Sequence, residues 1–310
     1  MDISFISGMA NIGAIAAIGT AFLWAMTPLI SVTPSAHLGS IGFSRWRMYT
    51  AFTVLAIVVS LSGKWVSLSM GHLEALGWSG FVGIFLGDTL LFASMNILGP
   101  RRAAILFASN AAIAALMAVV LLDDFISPML GLAFALVTLG VMLAIFYGRN
   151  KSSTHLWETN QGSVGLGILF GLAAALCQAY GSILAKPVMD SGADPMAASA
   201  VRLGAAALAH TVLFWVMPKT TKNKQPLNWR ILLQVTMSSV LSMVLGMTLL
   251  MFALANADVS LVSILSSISP ILILPVLWVF FGKAPPLGAW AGAALTVIGT
   301  TLIILNESQF

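Results

Sequence analysis

The sequence predicts an all-α integral membrane protein of ten transmembrane helices, arranged as two inverted five-helix repeats. Three observations carry that prediction. The 310 residues are 59% hydrophobic and 8% charged, where a soluble globular chain carries about 25% charged residues. Apolar runs of about 20 residues, the length a helix needs to cross a bilayer, fill nearly the whole chain. Shifting the sequence against itself by 159 positions aligns residues 87–146 with 246–305.

The apolar runs lie at 8–30, 41–62, 75–97, 102–122 and 128–147, then at 163–186, 195–217, 231–255, 259–281 and 286–305. The opening "MDISFISGMANIG" has no basic n-region before its apolar run and no small-residue cleavage site. The first run is therefore expected to remain as a helix rather than be removed as a signal peptide. Loops between runs are short, the longest being 148–162 and 218–230. This divides the chain into a first repeat at 1–150, a linker at 151–162 and a second repeat at 163–310. Cys177 is the single cysteine and sits inside an apolar run, so an intrachain disulfide is excluded.

Short loops allow orientation to be read from their basic residues. Loops after runs 1, 3, 5, 7 and 9 carry Arg101, Arg102, Arg149, Lys151, Lys219, Lys222, Lys224, Arg230 and Lys283, against the acid Glu158. The other side carries Lys64 and Lys186, against Asp2, Glu74, Asp123, Asp124, Asp190, Asp194, Asp258 and Glu307. The expected arrangement is a multi-pass protein of the cytoplasmic (inner) membrane, with both termini outside and the linker in the cytoplasm. This bias also accounts for the sequence pI of about 9.5 without a nucleic-acid partner.

Under the 159 shift Gly87, Thr89, Leu90 and Leu91 fall on Gly246, Thr248, Leu249 and Leu250, and Gly140 falls on Gly299. Upstream the offset shrinks to 155, pairing Arg47 with Arg202, and to 154, pairing Trp24 with Gln178. Five spans per half is an odd number, so the second half enters from the opposite side. Inverted repeats recur in secondary transporters, with the binding site near the midplane between them.

Several stretches resemble the EamA-type permeases of the drug/metabolite transporter superfamily. These are "FLWAMTP" late in span 1, "RWRMYTA" and "VRLGAAA" early in spans 2 and 7, "LGDTLLFASMNILGPRRAAIL" across spans 3 and 4, and "SSISPILILP" in span 9. The ends "LLDDFISPMLGLAFALVTLGVML" and "FFGKAPPLGAWAGAALTVIGTTL" are similar to the family's closing helices. The resemblance covers the chain and implies a carrier of small metabolites, most naturally an exporter of amino acids or related compounds. Two departures stand out: Asn110-Ala111 replaces in the first half the Ser269-Pro270 of the second, and the positions near Trp24 and Gln178 lack the acid of the small multidrug members.

An ionisable residue inside a span costs about 2.5–3.5 kcal/mol on insertion scales unless it finds a partner or faces the bundle interior. Arg45, Arg47, Asp88 and Arg202 lie well inside spans. Asp88 is about 14 Å and Arg47 about 9 Å from the same membrane face, at 1.5 Å per residue. An Arg47–Asp88 pair is the structural reading of Asp88; proton coupling and substrate contact are the functional ones. Arg202, with no evident acid, is expected to bond backbone carbonyls or cap a helix, and a substrate carboxylate is its functional alternative. His210 is expected to be packed. Trp24, Thr89, Asn110, Gln178, Tyr180, Thr248 and Ser269 form a pseudo-symmetric polar set expected to line a substrate cavity in apolar walls. Pro270 and Pro275 are expected to kink span 9 as part of a gate. Gly83 with Gly87, Gly167 with Gly171 and Gly288 with Gly292 read as close helix contacts.

An intramembrane enzyme is the first rival, but the spans hold no Ser–His pair, carboxylate pair or "HExxH". A scaffold with a soluble domain and a channel with a repeated filter find no support either. No metal site or cofactor is expected, and with no ATP-binding motif the energy must come from a gradient or from exchange. The sequence therefore reads as a secondary active transporter of small polar metabolites by alternating access, with an uptake carrier or exchanger for a vitamin or nucleotide-like metabolite as the alternative. Its expected partners are a small-molecule substrate, the bilayer and, as candidate coupling ion, protons, in a monomer or weak dimer.

Overall fold

A computed structural model describes residues 3–110, 112–113, 162–257, 265–266, 268–282 and 284–307, with single positions at 117, 129, 132, 135–137, 139, 140, 143 and 262. The second part of span 4, most of span 5 and the 151–162 linker lie outside the described residues but for those single positions and Gly162. The described residues are helical throughout, joined by short turns and carrying no strand. In chain order the helices are α1 (Ile3–Leu38), α2 (Ser40–Ser62), α3 (Met70–Leu98), α4 (Pro100–Ala108), α5 (Val164–Asp190), α6 (Pro195–Val216), α7 (Trp229–Asn256), α8 (Ser269–Phe281) and α9 (Leu287–Glu307). Five of them are long and apolar enough to cross a membrane: α3, α5, α6, α7 and the Ile12–Leu38 part of α1. The protein is a multi-pass membrane protein.

Local chemistry starts these helices where the sequence changes character. Asp194 accepts from the backbone N–H of Met196 and Ala197 at 2.9 and 3.1 Å, just ahead of Pro195 at the first turn of α6. Asn228 caps α7 through Ile231 N–H at 2.9 Å. Gly39 and Gly99 join α1 to α2 and α3 to α4 with φ of 80° and 85°, a region closed to most side chains. Helix α1 runs eight residues past the expected end at 30, through Pro28 and Pro34. Pro28 has no N–H, so the Trp24 carbonyl loses its intrahelical donor without ending the helix.

The two halves pack by exchange. Helix α1 lies on α7 and α5 lies on α3, while α4 lies on α5 and α8 lies on α1. Helices α2 and α6 pack on each other: the Arg45 guanidinium stacks 4.4 Å from the Phe214 ring, Tyr49 Oη bonds Thr211 at 2.9 Å, and Lys64 pairs with Asp194 at 2.9 Å. The partner number falls from 214 to 211 as the α2 number rises from 45 to 49, and to 194 at Lys64 just past the end of α2, so the helices are antiparallel. They are also repeat mates, which makes the second half inverted relative to the first.

Both halves carry the same irregularity. Helix α3 widens into a π-helical segment at Phe81–Leu86, and α7 does so at Val240–Gly246. The starting residues differ by 159, the offset of the sequence repeat. Such segments re-aim side chains within a helix and occur often at functional sites.

Among the described residues the two ends of the bundle differ in charge. At one end Lys224 N–H bonds Leu38 O at 3.1 Å, His37 Nε2 bonds Pro226 O at 2.9 Å, and Ser35 Oγ bonds Asn96 Oδ1 at 2.9 Å. This end gathers the 217–228 segment and the α1–α2 and α3–α4 turns. At the other end Lys186 pairs with Asp190 and donates to Leu254 O at 3.0 Å, and Lys64 pairs with Asp194. The two described lysines of the acid-rich end are thus both neutralised locally.

Candidate functional site

Between the halves lies a cavity of about 100 Å³. It has room for a few waters or a small solute, and is smaller than the roughly 300–1,000 Å³ of drug-sized ligand sites. Its floor is built from both repeats at matching positions. Gly83, Ile84 and Asp88 of α3 and Ser242, Met243 and Met247 of α7 all line it, and each pair is related by the 159 offset. Trp24 of α1 and Gln178 of α5, repeat mates at an offset of 154, line it too. From this floor Leu91, Met95, Pro100 and Ala103 carry the lining toward the basic end.

Arg47 and Asp88 form an ion pair in the wall. Arg47 Nη1 donates to both carboxylate oxygens of Asp88, at 2.9 and 2.7 Å, and the side chains are 1% and 7% exposed. Arg47 Nη2 donates to Ser242 Oγ, and Ser239 Oγ donates to the Arg47 carbonyl at 2.6 Å. The guanidinium also lies 4.7 Å from the Phe92 ring centroid, a geometry in which the aromatic face favours a cation. One arginine of the first half therefore joins α2, α3 and α7.

Arg202 has no such partner. It is fully buried, and instead of bonding carbonyls it directs Nη1 at the thioethers of Met247 and Met251, at 3.1 and 3.4 Å. A thioether sulfur is a weak acceptor. Its Nε and Nη2 have no hydrogen-bond partner among the described residues. The residue stands behind the cavity floor rather than in it.

The expected polar set divides. Trp24, Gln178 and Ser269 line the cavity together with Arg47 and Asp88. Thr89 and Thr248 are half-buried outside the lining, and their enclosed hydroxyls have no hydrogen-bond partner among the described residues. Each follows a lining residue by one position, which turns it about 100° around its helix. Tyr180, two residues beyond Gln178, is 41% exposed on the outer surface. Asn110 Nδ2 closes the end of α4 by donating to Phe107 O at 2.7 Å, while the Phe107 ring lines the cavity edge-on to Trp24, with centroids 6.1 Å apart. Pro270 sits in the first turn of α8, a position its fixed φ suits, after a turn at Ile268 that separates α8 from the helical Leu265 and Ser266. Pro275 lies inside the same helix and is exposed.

Trp24 Nε1 reaches the Ser242 carbonyl at 3.4 Å, inside the π segment of α7. Sequence reasoning missed Ser242, Met243 and Met247. The signal was the repeat itself: applying the 159 shift to Gly83, Ile84 and Asp88 gives all three. His210 is buried against the Phe85 ring at 4.7 Å, with both ring nitrogens unpartnered among the described residues.

Known proteins offer a consistent frame. No curated protein matches the chain. Twenty-seven solved chains match it in structure. One, a crystal structure described without a functional name, aligns over 98% of this chain and 98% of its own at 16% identity, with a TM-score of 0.67. That is a likeness of fold. The family model described as EamA-like transporter family matches twice, over residues 11–146 and 165–305, once in each half. The chain belongs to the EamA-like transporter family.

Proposed function

We propose that the protein is a secondary active carrier of small polar metabolites that works by alternating access, with amino acids or related compounds as cargo and export as its direction. The observation that carries the reading is the cavity at the junction of two inverted halves, lined by repeat-related residues of both. Similar halves meeting at one site give inward-open and outward-open arrangements of similar energy, which the cycle requires. The lining extends toward the basic end. With that end in the cytoplasm of a cell whose inner membrane holds the protein, and both termini outside, cargo loads from within.

The size of the cavity favours a small solute, and its apolar walls with a few polar groups suit an amino acid with an uncharged side chain. The edge-on pair of Trp24 and Phe107 favours a planar ring, so an uptake carrier or exchanger for a vitamin or nucleotide-like compound is the second reading. The two repeats, 1–150 and 163–310, complete the pathway within one chain. No catalytic group, cofactor or nucleic acid enters this account, and protons are the proposed coupling ion.

Counterflow in proteoliposomes tests it. Vesicles loaded with an unlabelled mixture of amino acids are expected to accumulate one or more labelled amino acids against their gradient. Accumulation of labelled nucleosides or vitamins alone would favour the second reading, and no counterflow with any solute would contradict both.

A further inference from the structure

We propose that Arg202 is the binding site for the carboxylate of the cargo, an inference that rests on the carrier reading of the cavity. Arg202 is fully exposed to no solvent and faces no acid: the position equivalent to Asp88 in its own half is Met247. Three polar atoms of α6 are buried here without a partner among the described residues, Nε and Nη2 of Arg202 and Oγ of Ser199, one turn earlier on the same helix. All three can donate, and among the described residues no acceptor meets them. A guanidinium kept charged in an apolar interior without a counter-ion is costly. An anion that arrives during the cycle relieves that cost.

The route to it is short. Arg202 Nη2 lies 3.3 Å from where a Cβ on the cavity-lining Gly83 would stand, beside Gly181 Cα at 3.2 Å, so the guanidinium sits directly behind the cavity wall, covered on this side by the α3–α5 contact. The other cover is Met247, which lines the cavity on one side and touches Arg202 Nη1 on the other. Methionine has three rotatable bonds and no branch, so it moves aside at little cost. Carboxylate and guanidinium match as a planar two-point pair. Arg47 remains with Asp88, and the cargo anion neutralises the arginine that the protein leaves unpaired.

Thermal unfolding of the detergent-purified protein tests this without a transport assay. The protein is held in 2-(N-morpholino)ethanesulfonate, whose anion is too bulky for the cavity, and acetate, L-alanine or chloride is added at constant ionic strength. Acetate and L-alanine are expected to raise Tm by about 3–5 °C at about tenfold excess over Kd, with chloride clearly less effective. Met247→Asp, which gives Arg202 an internal carboxylate, should raise Tm in the sulfonate alone and abolish both shifts. Chloride equal to acetate would make the site one for an inorganic ion and overturn the assignment. So would no shift with any anion, or full shifts retained in Met247→Asp. Shifts as expected without counterflow of any solute would sink the carrier reading and leave the anion site standing.

Discussion

Arg47 and Arg202 hold the same position in the two repeats, yet only Arg47 meets a carboxylate: Asp88 lies 2.7 Å from its Nη1, where Arg202 has Met247 Sδ at 3.1 Å. The fold is symmetric at this level and the charge is not. One half is closed by an internal ion pair joining α2, α3 and α7. The other keeps a cation in reserve behind a glycine and a methionine.

The Arg47–Asp88 pair joins three helices, and its removal has a characteristic signature. Asp88→Met or Arg47→Met alone leaves a buried group of the other partner uncompensated and should cost about 3–5 kcal/mol of stability. The double variant Arg47→Met with Asp88→Met should recover much of that loss. Thermal unfolding of the four proteins measures the coupling; additive losses would show that the two side chains do not act as a pair.

The closest approach of α3 and α5 should tolerate no side chain. A Cβ on Gly181 would stand 2.8 Å from Gly83 Cα, which is backbone and cannot step aside. Gly181→Ala should therefore cost about 1–3 kcal/mol. Gly77, on the same α3 with nothing within 4 Å of its Cβ position, should accept alanine and gain up to about 1 kcal/mol from helix propensity. Equal Tm values for the two variants would contradict the packing described.

Gln178 and Tyr180 separate the cavity from the outer face. Gln178→Leu removes a polar group from the lining and should lower transport about tenfold, the equivalent of about 1.4 kcal/mol, with little change in Tm. Tyr180→Phe, on the exposed side of α5, should leave transport unchanged. Rates in proteoliposomes decide, and equal effects of the two would place the pathway elsewhere.

Orientation is open to direct test. A reporter active only in the periplasm, fused after Phe310, should be active. A cysteine replacing Lys224, in a chain with Cys177→Ala, should react with an impermeant thiol reagent from the cytoplasmic side, and one replacing Lys64 from the outside. The reverse pattern would turn the protein over and make the present cavity an outward-facing one.

Much of this was legible in the sequence because lipid imposes simple rules. The positions of the described membrane-spanning helices and the reach of Arg47 to Asp88 follow from apolar run length and rise per residue. Facing is harder to read. Thr89 and Thr248 share a repeat position as surely as Asp88 and Met247 do, but one step along a helix turns a side chain out of the site. The π segments at Phe81–Leu86 and Val240–Gly246 shift that facing again, and hydropathy carries no trace of them. Arg202 was expected to find carbonyls, and it meets the thioethers of Met247 and Met251 instead.

The central claim is that one cavity between inverted halves opens to each side of the membrane in turn. Thiol accessibility of Ala104→Cys, a lining position on α4, in a Cys177→Ala background tests it most directly. In oriented vesicles the account predicts fast labelling by an impermeant reagent from the basic end. It also predicts slower labelling from the acid-rich end, with both suppressed by a transported solute. Labelling confined to one side during active counterflow would contradict alternating access through this cavity.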